Sequence, residues 1–326
     1  MSEPLFFDRD FAPPYGIIED LVPGVRRIVA KNPGPYTFQG SATFVIGRGE
    51  VGIIDPGPKD ETHIDAIVTA LAQTGETVSH ILITHTHPDH SPGTAMLKER
   101  TRAVTYGFGR HPVEPDTPED AFVYPKSENG ADPHDPEASS EEHRGDIDFV
   151  PDHFTTTGDV IAGSGWRAEA LHTPGHIANH LCFAFPDLGL VFTGDHVMGW
   201  STSVISPPGG DLSDYLASLA LLRDRPESVY VPTHGKPIPK GPDFATGLLD
   251  HRNNRTEQIL GQLRIGTTAV PTIVEALYLG LDERLIPAAG RSVLAHLLDL
   301  LQRGLVVAEA REGHRIGTGS SFRLAS

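Results

Sequence analysis

The segment His85-Thr86-His87-Pro88-Asp89-His90 constrains this chain more than any other six residues. It follows Ile81-Leu82-Ile83, an apolar run that reads as a buried strand ending where the histidines begin. In extended backbone, residues two apart project to the same side, so His85 and His87 can share one metal ion. Pro88 then forces a turn that can aim Asp89 and His90 elsewhere. One short loop can therefore feed two ions. The plainer reading, a polar turn of hydrogen-bonded histidines, weakens as further ligand-type residues are found.

Those residues lie downstream, each just after a strand-like run. Residues 166–171 lead into His172-Thr173-Pro174-Gly175-His176, residues 188–192 into Thr193-Gly194-Asp195-His196, and residues 228–231 into Pro232-Thr233-His234-Gly235. Strand ends along one sheet edge form a rigid rim, and Gly/Pro loops leaving it bring polar groups together. Imidazole-rich sites with a few carboxylates suit zinc, and iron or manganese also fits such a set. Two ions about 3.5–4 Å apart can share a water, acidify it and hold the hydroxide as nucleophile against a carbonyl or phosphoryl group. No serine or cysteine nucleophile is needed. Ser164-Gly165-Trp166 and Ser91-Pro92-Gly93 are not nucleophile elbows. Cys182, the only cysteine, lies in an apolar run (residues 181–185) and reads as a small buried hydrophobe.

These motifs, together with Val51-Gly52-Ile53-Ile54-Asp55-Pro56-Gly57, resemble those of the metallo-β-lactamase superfamily over roughly residues 20–245. The resemblance implies an α+β chain with an αββα sandwich and a two-metal site on its rim. It implies that His85, His87 and His176 ligate one metal, that Asp89, His90 and His234 ligate the other, and that Asp195 bridges both. It gives Asp89 a further part in orienting the nucleophilic hydroxide. It makes Asp55 a supporting acid behind the ligand loop.

Other histidines are read more plainly. His172 and His180 flank the His176 loop and are expected to support it. His196 either faces substrate or fills the rim, and His80 is structural. The histidines at 63, 111, 134, 143, 153, 251, 296 and 314 have no ligand-like context and are read as surface or core residues. The apolar stretch after Asp195, residues 197–208 with Trp200, can line a pocket for an acyl or aromatic group, and core packing explains it equally well.

At 326 residues the chain has room for about two domains, taken as 1–250 and 251–326. Its net charge of −17 is uneven: residues 111–150 carry 12 acids against 2 bases, whereas residues 251–326 carry 9 bases against 7 acids. The acidic segment is rich in Pro, Ser and Gly and reads as an insertion, either a lid or a solvated surface loop. No basic start precedes a long apolar stretch, so the expected location is the cytoplasm, with no membrane span. In the C-terminal part, residues 243–264, 268–278 and 287–301 read as helices, and strand-like runs surround Glu312-Gly313. This pattern resembles a winged-helix module. With His251-Arg252 and Arg255 on the preceding helix it resembles the subgroup called β-lactamase-like protein two, some members of which are endoribonucleases. The module's apolar helix faces suggest a homodimer.

Three functions are weighed. The first is a two-zinc hydrolase of a carbonyl bond (thioester, ester or lactam-like) on a small molecule or carrier. The second is a metal-dependent endoribonuclease, and the third a non-catalytic binding module. A full ligand set argues against the third. The acidic rim disfavours RNA, since a nuclease wants a basic channel. β-Lactamase activity proper is not indicated, because the resemblance implies that β-lactamases usually lack the bridging carboxylate.

Overall fold

The computed structural model describes residues 5–112, 145–281, 283–310 and 312–325. Most of the acidic insertion, and with it the choice between lid and surface loop, lies outside the described residues, as do His134 and His143.

Two sheets stack face to face. The first places β1 (Glu19–Val22), β2 (Val25–Val29), β3 (Ala42–Ile46), β4 (Glu50–Ile54), β5 (Thr77–Leu82), β6 (Val104–Gly107) and β7 (His153–Phe154) side by side in that order. Its first four strands pair antiparallel, and β4 to β7 pair parallel. The second holds β8 (Val160–Gly163), β9 (Trp166–His172), β10 (Leu181–Phe185), β11 (Leu190–Gly194) and β12 (Val229–Pro232), again in order, with only β11–β12 parallel.

The strands are apolar on both faces because helices cover the outside. In β10, Leu181, Phe183 and Phe185 point between the sheets toward Phe44 and Ile54, while Cys182 and Ala184 point outward. On the first sheet, α1 (Glu61–Gln73) and α2 (Gly93–Thr101) cover Val45, Val51, Ile53 and Ile81 with Ile64, Ile67 and Leu97. On the second, α3 (Leu212–Arg223) and α4 (Gly241–Arg264) cover Val191 and Tyr230 with Leu219, Leu222 and Leu248. Aspartates open two of these helices, Asp60 accepting from the Thr62 N–H and Asp211 from the Asp214 N–H. The order helix, sheet, sheet, helix is the αββα sandwich.

Position 250 lies inside α4. Ala245 and Leu248, in its first half, pack on the sandwich; Ile259, Leu260 and Leu263, in its second, pack in a separate C-terminal core. The helix is thus shared, and no linker marks the expected 250/251 division. The C-terminal core is completed by α5 (Val270–Leu277), α6 (Ile286–Gln302) and the antiparallel pair β13 (Val306–Glu309) and β14 (Ser321–Leu324). Val293, Leu294, Leu297 and Leu300 of α6 are buried there, and Ala295 reaches the sandwich. Much of the apolar surface that suggested a dimer is thus covered within the chain. No helix among the described residues is long and apolar enough to cross a membrane.

Candidate metal centre

Five strand ends converge on one rim. β4 leads into Asp55, β5 into the loop holding His85 to His90, β9 into the loop holding His176, β11 into Asp195 and β12 into the loop holding His234. Two loops need glycine to do this. Gly175 has φ +129, and a Cβ there would collide with the Tyr215 backbone. Gly194 has φ +50, and a Cβ would meet His180 Nε2 at 2.6 Å.

The side chains form overlapping clusters. His87 Nδ1 lies 2.8 Å from His85 Nε2 and 3.0 Å from His176 Nε2. Asp89 Oδ2 lies 3.3 Å from both His90 Nε2 and His234 Nε2. Asp195 stands between them: Oδ2 is 3.5 Å from His90 Nε2 and 3.8 Å from His176 Nε2, and Oδ1 is 3.3 Å from His234 Nε2. Three sets could each hold an ion: His85, His87 and His176; Asp89, His90 and His234; and His85, His90 and Asp195.

The donor set fits metal ions on several grounds. His90 Nε2 and Asp195 Oδ1 are buried without a hydrogen-bond partner. Outer contacts also fix the ring tautomers so that lone pairs face inward. His176 Nδ1–H donates to the Val204 carbonyl at 2.7 Å, His234 Nδ1–H to that of Gly40 at 3.1 Å, and His90 Nδ1–H to Asp55 Oδ2 at 2.9 Å. Burial, with repulsion among neighbouring imidazoles, holds His85 and His87 far below the usual histidine range. Burial also opposes charge on His90 and His234, yet the carboxylates of Asp89 and Asp195 outweigh it, raising His90 well above its ordinary value and His234 to about 10. The two carboxylates thus draw positive charge strongly, a demand that divalent cations would meet.

Supporting residues surround the set. Asp55 accepts from the Thr84 N–H (2.8 Å) and hydroxyl (2.6 Å) as well as from His90. His180 Nε2 accepts from the Asp195 N–H at 3.2 Å, and its other nitrogen meets Thr173 Oγ1. His172 Nε2 donates to the Ala178 carbonyl, closing the loop that carries His176, while its ring stacks on Phe108 at 3.9 Å. Cys182 is fully buried, and that burial pushes its thiol up to about 12, so it offers no thiolate.

A cavity of about 390 Å³ adjoins the clusters, lined by His87, Asp89, His176, Asp195 and His234 together with Tyr36, Ile177, Met198 and Val204. His196 and Trp200, for which the sequence left pocket lining and packing both open, do not line this cavity. His196 is fully buried beneath the rim, its ring 4.5 Å from that of Tyr215, because the chain turns inward after Asp195. Trp200 stacks on Phe38 at 4.6 Å and lines a neighbouring cavity. Several contributors carry no local sequence signal. Ser41 Oγ donates to Asp89 Oδ2 at 2.7 Å, and Ala288 and Arg291 of α6 supply part of the cavity wall. His111, read as an ordinary surface or core residue, lines the cavity and meets Thr86 Oγ1 at 2.8 Å. The acidic segment therefore departs at the cavity. It also returns beside it, where Asp146 donates its N–H to the Thr86 carbonyl and accepts from Ser91 Oγ, both at 2.8 Å.

Residues 35–234 match the profile of the metallo-beta-lactamase superfamily, and residues 269–314 that of the beta-lactamase associated winged helix domain. The chain belongs to the metallo-beta-lactamase superfamily; it is a divalent-metal-binding hydrolase carrying that winged-helix domain. It is 29% identical over 327 residues to an atrochrysone carboxyl ACP thioesterase of Aspergillus terreus (strain NIH 2624 / FGSC A1156), covering 95% of this chain and 90% of that protein. It is 27% identical over 283 residues to the lactamase-like protein adaB of Aspergillus niger, covering 82% and 77%. Among solved structures, a beta-lactamase domain protein from Burkholderia ambifaria superposes with a TM-score of 0.73 at 21% identity, covering 97% of this chain and 96% of that one. A metallo-beta-lactamase family protein from Thermus thermophilus gives 0.68 at 21% identity, covering 94% and 100%. At these identities the structures speak for the fold alone.

Proposed function

We propose that the protein is a two-metal thioesterase that hydrolyses an acyl thioester borne on a carrier. The observation that carries this reading is the position of Asp195, which reaches His90 and His176 with one oxygen and His234 with the other. A carboxylate so placed would serve both ion sites. His85, His87 and His176 would hold one ion, Asp89, His90 and His234 the other, and the imidazole-rich set suits zinc. When bound, the ions would supply Lewis acidity toward water and toward the thioester carbonyl.

The chain's own residues do the rest. The apolar wall of Tyr36, Ile177, Met198 and Val204 would seat the acyl group and shed water around it. Water oxygen adds to the carbonyl carbon, and the carbon–sulfur bond breaks to give an acid and a thiol. Asp89 lines the cavity and is held ionised by its histidine partners, although burial opposes this; it can accept a hydrogen bond from the attacking water and orient it toward the carbonyl carbon, the water's proton passing to the departing thiolate. Ser41 fixes the carboxylate for that task. The relatives named as ACP thioesterases support a carrier-linked substrate.

A parallel screen of acyl-carrier and acyl-pantetheine thioesters, an aryl ester, a lactam and single-stranded RNA tests this reading. Thioesters should be hydrolysed best, and His176→Ala and Asp195→Ala should abolish the activity. RNA cleavage in the ordinary enzyme range of about 10⁴ M⁻¹s⁻¹ or above, lost in the same variants, would replace the proposal with an endoribonuclease.

A further inference from the structure

A second cavity, of about 720 Å³, adjoins the metal cavity and shares four wall residues with it: Tyr36, Met198, Val204 and Ala288. Its charge is unlike the rest of the molecule. In a chain of net charge −17 it is lined by Arg9, Arg252 and Arg255, and no aspartate or glutamate lines it among the described residues. Hydroxyls of Ser201, Thr202 and Ser292 add hydrogen-bonding groups, and Trp200 and Tyr278 add ring faces.

The arginines differ in what already holds them. Arg252 is buried and structural, donating to the Ser203 carbonyl and to Ser292 Oγ. Arg255 lies half-buried over the Tyr278 ring at 4.2 Å and donates to the Leu277 carbonyl at 3.3 Å. Arg9, which also lines the cavity, donates its Nε–H to the Trp200 carbonyl at 3.4 Å. Among the described residues no carboxylate pairs with any of these three. The positive field is felt by His251 beside them, which burial first, and then repulsion from Arg252 and Arg255, lowers to about 4.

We propose that this cavity is a subsite for an anionic group of the substrate, carried by Arg9 and Arg255 and placed beside the metal cavity by α4 and the C-terminal module. The inference rests on the thioesterase reading. Guanidinium groups recognise phosphate and carboxylate alike, so the anion is either the phosphate end of a pantetheine arm or a carboxylate on the acyl chain. Arg255 on α4, which the metal chemistry leaves without a task, thereby acquires one, while Arg252 holds the wall through the Ser203 carbonyl.

The experiment measures binding by calorimetry and hydrolysis by thiol release, on the full chain as purified. Binding of 4′-phosphopantetheine is compared with that of pantetheine, and hydrolysis of a malonyl thioester with that of an acetyl thioester of the same arm. Wild type should prefer one anionic member of these pairs about tenfold or more, the range set by a charge-assisted hydrogen bond. The double variant Arg9→Gln, Arg255→Gln should lose that preference through Kd or KM with kcat retained, and Arg9→Lys, Arg255→Lys should restore part of it. Preference for the phosphate assigns the arm, and preference for the carboxylate assigns the acyl chain. Equal handling of charged and neutral partners by wild type, or a preference unchanged in the Gln variant, would overturn the subsite. Because the binding arm needs no turnover, it can succeed even where thioester hydrolysis fails, which separates the two readings.

Discussion

Asp55 holds His90 from behind: one carboxylate oxygen lies 2.9 Å from the imidazole Nδ1, and both residues are almost fully buried. The same carboxylate gathers the Thr84 N–H and hydroxyl, so the ends of β4 and β5 are tied to a ring whose other nitrogen faces Asp89 and Asp195. Its backbone sits at φ +49°, a conformation aspartate tolerates better than most residues.

Asp55→Asn should therefore weaken metal binding without removing a ligand. An amide cannot accept all three donors, and the His90 ring loses its fixed tautomer. The expected loss is about 10- to 100-fold in metal affinity, read by competition with a chromophoric chelator. Unchanged affinity in a folded variant would show that the contact is idle.

The His176 loop makes a sharper prediction about stability. Gly175→Ala forces a Cβ against the Tyr215 backbone at a left-handed φ, and neither partner is a flexible side-chain end. It should cost about 3 kcal/mol or more. Gly189→Ala, at φ +66 with open space around it, should cost about 1 kcal/mol. Urea titration compares them, and equal losses would contradict the packing described.

How far the sequence disclosed all this depends on distance along the chain. His85 to His90 and the loops at His176, Asp195 and His234 are legible because strand, turn and ligand lie within a few residues of one another. The side to which a residue after the strand points is not so legible. His196 turned inward and Trp200 joined another cavity because contacts with Tyr215 and Phe38, far away in sequence, decide their rotation. Ser41 reaches Asp89, and Arg291 and His111 reach the cavity, from loops and a helix that carry no motif, so only the closed fold reveals them. The expected division at 250 falls inside α4 for a similar reason: the helix's periodicity is continuous while its packing partners change, from the sandwich at Ala245 and Leu248 to the C-terminal core at Ile259 and Leu263.

Acid should destabilise the protein in part through His63. Burial, opposed weakly by Asp60, lowers this residue to about 4 from an ordinary 6.5, and its Nε2 meets Thr43 Oγ1 at 2.8 Å. The folded pKa is depressed, so the unfolded chain binds the proton first. Stability from this group is fully present above about pH 6.5 and is lost as pH falls toward 4, by up to about 3 kcal/mol. Denaturation of wild type and His63→Gln at pH 7.5 and 4.5 checks this. The variant should lose less on acidification, and an identical loss would remove His63 as a cause.

In the proposed function two ions, joined through Asp195, make the hydrolytic site. The most direct measurement titrates zinc into chelator-stripped protein while following both bound metal and hydrolysis of an acyl-pantetheine thioester. Activity should rise to a plateau as occupancy approaches two ions per chain, and Asp195→Ala should bind less than one ion tightly and remain inactive. Full activity at one ion per chain, or a protein loaded with two ions that leaves the thioester intact, would contradict the account.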